Sequence, residues 1–166
     1  MANYLIEFDE YLHFTIEQFI NVIENIEGIK LSELKVKDLT YYNEQIIDPG
    51  HGIYIFKTSE NILLVGKAET TSFTERIPKH FDVRPLAWFN RLLFITCREY
   101  FKDSLEKENF LKSSKYVFEN ASLILINMKE DRKKIVRLEN ILRGTTRTLN
   151  KYKKLRYNMD LALSQI

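Results

Sequence analysis

Tyr54 stands third in Gly52-Ile53-Tyr54, at the start of an apolar run, and a second apolar run ends ten positions later in Leu64-Val65-Gly66, followed at once by Lys67. Further along come Arg76 and His80, four apart, then Glu139 inside Leu138-Glu139-Asn140-Ile141-Leu142, then Asn150 in Thr148-Leu149-Asn150. These side chains can do phosphate chemistry. A guanidinium clamps two phosphate oxygens in one plane. An imidazole one helical turn away can relay a proton or bond the same phosphate. One carboxylate, with waters and a substrate oxygen, makes an ordinary magnesium shell. Each residue also has a plainer use. Tyr54 could be a half-buried strand residue, Lys67 a solvated loop lysine, Arg76 a surface cation and His80 a half-buried ring. Glu139 could pair with Arg143 at i+4, and Asn150 could cap a loop.

The order and spacing of the set resemble the GIY-YIG nuclease superfamily, over roughly residues 50–152. The resemblance implies a divalent-metal-dependent endonuclease that hydrolyses phosphodiester bonds in DNA, double-stranded in the first instance, with Mg2+ or Mn2+ as cofactor. Such hydrolysis needs an activated water, a charge clamp and help for the leaving oxygen. On this resemblance Tyr54 sits beside the attacking water as its base, Arg76 clamps the phosphate, and His80 relays a proton or bonds the phosphate. Lys67 lowers the phenol's pKa or touches the scissile phosphate, Glu139 ligates the metal, and Asn150 braces the site from a loop. Leu64 departs from the family pattern, which has a second tyrosine here; leucine keeps the strand and its packing but removes a phenol. That departure keeps a second reading open, a catalytically weakened or inactive module of this fold that grips nucleic acid or a partner. A third is a structural protein whose charges only keep it soluble.

These residues must be positioned by strands and helices. Residues 52–57 and 62–66 read as strands joined by a short hairpin loop, Thr58 to Asn61. Residues 70–81 predict a helix disturbed by Pro78, which lacks the N–H that an interior position donates. The apolar run from Leu86 to about Asp103 predicts a buried helix, with a strand as the alternative because it is apolar on every side. Residues 121–128 predict a third strand, and 130–143 a helix that buries Ile135, Leu138, Ile141 and Leu142 and stops at Gly144. Lys151 to Leu163 predicts a last helix. Upstream, Ile16, Phe19, Ile20, Ile23 and Ile26 recur at helical spacing behind a Thr15/Gln18 capping box, with Gly28 as the stop; Leu31 to Leu34 suggests a second short helix. The expected fold is α/β (α+β): a small central antiparallel three-stranded sheet flanked by helices, with a helical N-terminal extension. The expected division is residues 1–48, an acidic and mainly helical extension, and 49–166, the nuclease-like domain with its C-terminal helix.

Charge is asymmetric although the net is only +2. Residues 1–50 hold ten acids against three bases, which leaves 13 acids against 22 bases in the remainder. A basic region of that kind attracts polyanions by counterion release, whereas the acidic segment repels DNA; it could pack on the core, build a homodimer whose two sites cut both strands, or mask the basic face. His51 abuts the first strand, and His13 and Cys97 read as structural. A single cysteine precludes an internal disulfide and suits a reducing cytoplasm. No stretch is long and apolar enough for a membrane span, and the N-terminus lacks signal-peptide character. Without CxxC, HExxH, a glycine-rich phosphate loop or a serine nucleophile motif, zinc and nucleotide-cofactor chemistry find no support.

Overall fold

The computed structural model describes residues 3–102, 105–129, 131–151 and 156–166. In chain order its strands are β1 (Leu5–Glu7), β2 (Ile29–Lys30), β3 (Tyr41–Tyr42), β4 (Gln45–Ile46), β5 (Gly52–Lys57), β6 (Ile62–Ala68) and β7 (Ser122–Asn127). Its α-helices are α1 (Ile16–Asn25), α2 (Phe73–Arg76), α3 (Arg91–Tyr100), α4 (Lys107–Asn120) and α5 (Arg132–Thr145).

The main sheet runs β1-β7-β5-β6, with β2 also on β7, and β3 and β4 form a separate hairpin. The β5–β6 hairpin and the β5–β7 pair are antiparallel, as the sequence predicts. The expected three-stranded antiparallel sheet with a helical extension is corrected, however. The sheet has five strands of mixed direction, because the N-terminal stretch supplies two of them: β1 parallel to β7 and β2 antiparallel to it, end to end along one edge. Strands of three and two residues are too short to show alternation in the sequence, yet they cover an edge of β7 that would otherwise stand bare.

β5, β6 and β7 are buried on both faces, which explains their continuous apolar runs. On one face Tyr54, Phe56, Leu64 and Leu125 meet Phe73, Ile77, Leu92, Phe110 and Val117. On the other, Ile53, Ile55, Val65 and Ile126 meet Phe19 and Ile23 of α1 and Ile135, Leu138 and Leu142 of α5. β6 is the edge strand nearest the candidate residues.

Several local expectations hold. α1 carries the Thr15/Gln18 capping box in both directions, and Gly28 beyond it has positive φ. Others are revised. Leu31 to Glu33 is a turn, followed by a 3-10 helix at Val36–Leu39. The helix expected over 70–81 is a single α-turn, α2, that passes into a 3-10 helix, Ile77–Phe81, where Pro78 cannot donate. The buried helix expected from Leu86 begins only at Arg91; residues 85–90 form a loop whose Leu86 is 99% exposed. α4 follows unforeseen, because its buried face includes the polar Asn109 and Ser113 beside Phe110 and Val117, which dilutes the apolar period. α5 continues through Gly144 to Thr145. Of the last expected helix, residues 152–155 lie outside the described residues; residues 156–162 are not helical, and Leu163–Gln165 is a 3-10 turn that buries Leu163. No helix among the described residues is long and apolar enough to cross a membrane.

Candidate active site at the sheet edge

Two glycines set the geometry. Gly52 opens β5 at φ +141, and a Cβ there would lie 2.1 Å from the Ile126 carbonyl oxygen, so only glycine lets β5 start this close to β7. Gly66 pairs with Tyr54 across the hairpin. A Cβ on it would fall 2.4 Å from Tyr54 Cζ. The phenol ring therefore lies over the bare backbone of Gly66, which directs its hydroxyl to the β6 edge.

Tyr54, Lys67, Arg76, His80, Glu139 and Asn150 all line one pocket of about 530 Å³ at that edge. They come from β5, β6, α2, the 3-10 helix after it, α5 and the loop beyond α5. Leu64 lines it too and is buried.

Tyr54 and His80 form a buried pair. Tyr54 Oη lies 2.7 Å from His80 Nε2, and the Leu92 backbone N–H donates to His80 Nδ1 at 3.4 Å. A neutral imidazole carries one proton. With Nδ1 accepting, that proton sits on Nε2 and is donated to the phenol oxygen. Burial, helped by the Arg76 charge, lowers the His80 pKa to about 3, so the ring is neutral. Burial also pushes the Tyr54 pKa up to about 12; the Arg76 guanidinium opposes this and the Glu139 charge adds to it.

Arg76 stacks its guanidinium on Phe89, 3.8 Å from the ring centroid. Its Nε is buried with no hydrogen-bond partner among the described residues. A buried cationic donor left unmatched is suited to an anion.

The other half of the site is charged. Glu139 is 7% exposed, and its carboxylate meets Lys67 Nζ at 3.0 Å and Arg143 Nη1 at 3.7 Å. The plain i+4 pairing with Arg143 is thus present, alongside Lys67 from the strand. Lys67 lies against Glu139 rather than against the phenol, and Glu69 lies 3.9 Å from it on another side. A divalent cation fits this donor set. Magnesium commonly takes one protein carboxylate and completes its shell with waters and phosphate oxygens, and Glu139 would be that carboxylate, in exchange for its ion pair with Lys67. Among the described residues no three His, Cys, Asp or Glu side chains converge as a metal cage, so such a cation would be held jointly with substrate.

Asn150 braces the edge. Its Oδ1 accepts from Val65 N at 3.0 Å and its Nδ2 donates to Val65 O at 2.8 Å, so one side chain pairs with β6 as a neighbouring strand would. Its carbonyl accepts from Arg143 Nε at 2.9 Å. Both ends of its side-chain amide are thus engaged with the β6 backbone.

The opposite wall has no counterpart among the residues that the sequence singles out: Pro85 to Arg91, with Trp88 and Phe89, and Phe94. The signal for it in the sequence is the pair Pro85 and Asn90 bracketing the apolar run. Asn90 spends its side-chain amide on the Asp82 and Arg84 carbonyls, which closes a loop and delays the helix. His51 and His13 lie outside the pocket, and Cys97 is a buried core residue.

Comparison with protein-family models, with curated proteins and with solved structures finds no match to this chain.

Proposed function

We propose that this protein is a divalent-metal-dependent endonuclease that hydrolyses phosphodiester bonds in DNA, built on the GIY-YIG pattern that its sequence resembles. The observation that carries this reading is the convergence of Tyr54, Lys67, Arg76, His80, Glu139 and Asn150, from six separate segments, on one pocket. In this reading the scissile phosphate meets the Arg76 guanidinium, whose Nε has no partner among the described residues. Lys67, drawn from Glu139 by the phosphate charge, bonds a second oxygen. Tyr54, as the phenolate left once its own proton has passed to bulk solvent, takes a proton from the attacking water. The His80 N–H and the Arg76 charge favour the phenolate that this requires, and the Glu139 charge stops opposing it once neutralised. Magnesium or manganese on Glu139 would polarise the phosphate and steady the leaving oxygen. The cytoplasm, a reducing compartment, suits the single buried cysteine.

A second reading, a catalytically inactive module that binds nucleic acid, is favoured by one observation: Leu64 fills the second phenol's place with a buried aliphatic side chain.

Supercoiled plasmid and a flapped or single-stranded oligonucleotide, each incubated with magnesium or manganese, separate the two. The nuclease reading expects nicked or linear plasmid or a cut oligonucleotide, lost with EDTA and lost with Glu139→Ala. Linear product without accumulated nicks points to a homodimer that cuts both strands. A salt-sensitive gel shift with no cutting under any metal contradicts the nuclease reading and favours the binding module.

A further inference from the structure

Leu86 and Trp88 are 99% and 79% exposed on the lip of the pocket that holds Tyr54 and Glu139. Neighbouring large apolar side chains facing water beside a polar site mark a contact surface. The loop that carries them is firmly built. Asn90 ties it to the Asp82 and Arg84 carbonyls, the Ala87 N–H donates to Arg84 O, and Arg84 pairs with Asp82. Phe89 takes φ +74, a strained conformation for an aromatic residue, and in it the ring lies against Arg76. Trp88 meets Phe89 edge-on at 5.2 Å between centroids. The same turn that delivers Phe89 to the phosphate clamp thus turns Trp88 outward.

A second groove, of about 450 Å³, shares Arg91, Phe94, Arg143 and Asn150 with the pocket and continues past Arg98 and Lys151, with Glu99 the acid along it. Its cations suit a polyanionic backbone. An exposed aromatic beside a basic groove is how proteins hold unpaired strands, because every base offers a face to stack on. In a duplex those faces are already stacked and out of reach of a side chain on a pocket lip.

We propose that the substrate presents an unpaired nucleotide next to the scissile phosphate, its base stacked on Trp88 and its flanking phosphates running along Arg91, Arg98 and Lys151. This rests on the nuclease reading for the position of the scissile phosphate. It assigns Trp88 as a specificity residue and a single strand, flap or bulge as the substrate class.

Trp88 is the chain's only tryptophan, so its fluorescence reports the contact directly. The test titrates the full chain, in EDTA and low salt, with a short single-stranded DNA oligonucleotide, with its duplex, and with the same strand carrying abasic sites. The expected result is strong quenching by the single strand and little by the duplex. The abasic strand should bind, by fluorescence anisotropy of a label, without quenching. Trp88→Ala should bind the single strand about 5- to 100-fold more weakly and the duplex unchanged, while Trp88→Phe keeps most of the affinity. Equal quenching by duplex and single strand, or unchanged single-strand affinity in Trp88→Ala, overturns the proposal. The two readings fail separately. Metal-dependent plasmid cutting with a Trp88→Ala variant that binds normally removes the platform and leaves the nuclease. Quenching specific to the single strand, with no metal-dependent cutting of plasmid, single strand or flap, leaves the platform and removes the nuclease.

Discussion

The two sides of strand β6 solve opposite electrostatic problems within one pocket. Toward α3 lies a neutral pair, the Tyr54 phenol and the His80 imidazole, both forced by burial into the uncharged form. Toward α5 lies a charged group, Glu139 between Lys67 and Arg143. Alternation along the strand divides them, since Gly66 faces one side and Lys67 the other. In the proposed reaction the neutral side holds a proton to be moved and the charged side an ion pair to be exchanged. Between them Arg76 Nε stands unmatched among the described residues. A bound phosphate would act on both halves at once: it supplies the anion that Arg76 lacks, and it competes with Glu139 for Lys67. On the nuclease reading the resting site is self-neutralised and would engage only when its substrate arrives.

The contrast can be broken from either side. Tyr54→Phe keeps the ring over Gly66 and removes only the oxygen, leaving His80 Nε2–H without its acceptor. Cleavage should fall about 10²- to 10⁴-fold, the range of a general base, and chemical denaturation should show about 1–3 kcal/mol of lost stability. Because the Tyr54 pKa lies near 12 in the resting site, the wild-type rate should rise with pH through the alkaline range, and this rise should be absent in the variant. Gly66→Ala attacks the same side through packing. Its Cβ must displace the Tyr54 ring, so activity should fall by a similar order, at about 1–3 kcal/mol of overpacking. A crystal structure of Gly66→Ala with Tyr54 unmoved would refute that explanation of the glycine.

His80 sharpens the comparison through pH. Its folded pKa, about 3, lies below the ordinary 6.5. The unfolded chain therefore binds one more proton below about pH 6.5, and the stability due to neutral His80 is complete above that pH and lost as pH falls toward 3. Denaturation series at several pH values should give His80→Gln a shallower acid-side slope, by up to about 1.4 kcal/mol per pH unit. Identical slopes would mean that water reaches the imidazole. The smallest effect belongs to Asn150→Ala, which frees both backbone groups of Val65. Stability should fall by about 1–2 kcal/mol, hydrogen exchange at the Val65 amide should quicken, and cleavage should drop far less than in Tyr54→Phe. A drop as large as that of Tyr54→Phe would make Asn150 more than a brace.

Six residues of the pocket are legible in the sequence through the order and spacing in which they resemble a known nuclease pattern, and for some of them the structure adds a local reason. Gly66 must be bare for Tyr54, Glu139 interrupts an apolar stripe, and Asn150 follows a helix at the distance needed to reach back to β6. The surroundings are less so. Leu5–Glu7 and Ile29–Lys30 become strands only because β7 offers them an edge. The helix α4 hides its period behind buried Asn109 and Ser113. Leu86 to Phe89 has a core composition but faces solvent, since the Asn90 side chain bonds back into the preceding turn instead of capping the helix it precedes. Tertiary partners set each of these outcomes, and local pattern does not carry that information.

The most direct test of a single site spanning β6 is single-turnover cleavage of plasmid and of a flapped oligonucleotide by the wild type, Tyr54→Phe, Glu139→Ala and the double variant, with and without magnesium. If both residues serve one phosphate, each single variant should lose most of the rate. The double variant should then be little slower than the worse single one, because residues acting on one step are not additive. Single variants that cut at the wild-type rate, or cutting that persists in EDTA, would contradict the account.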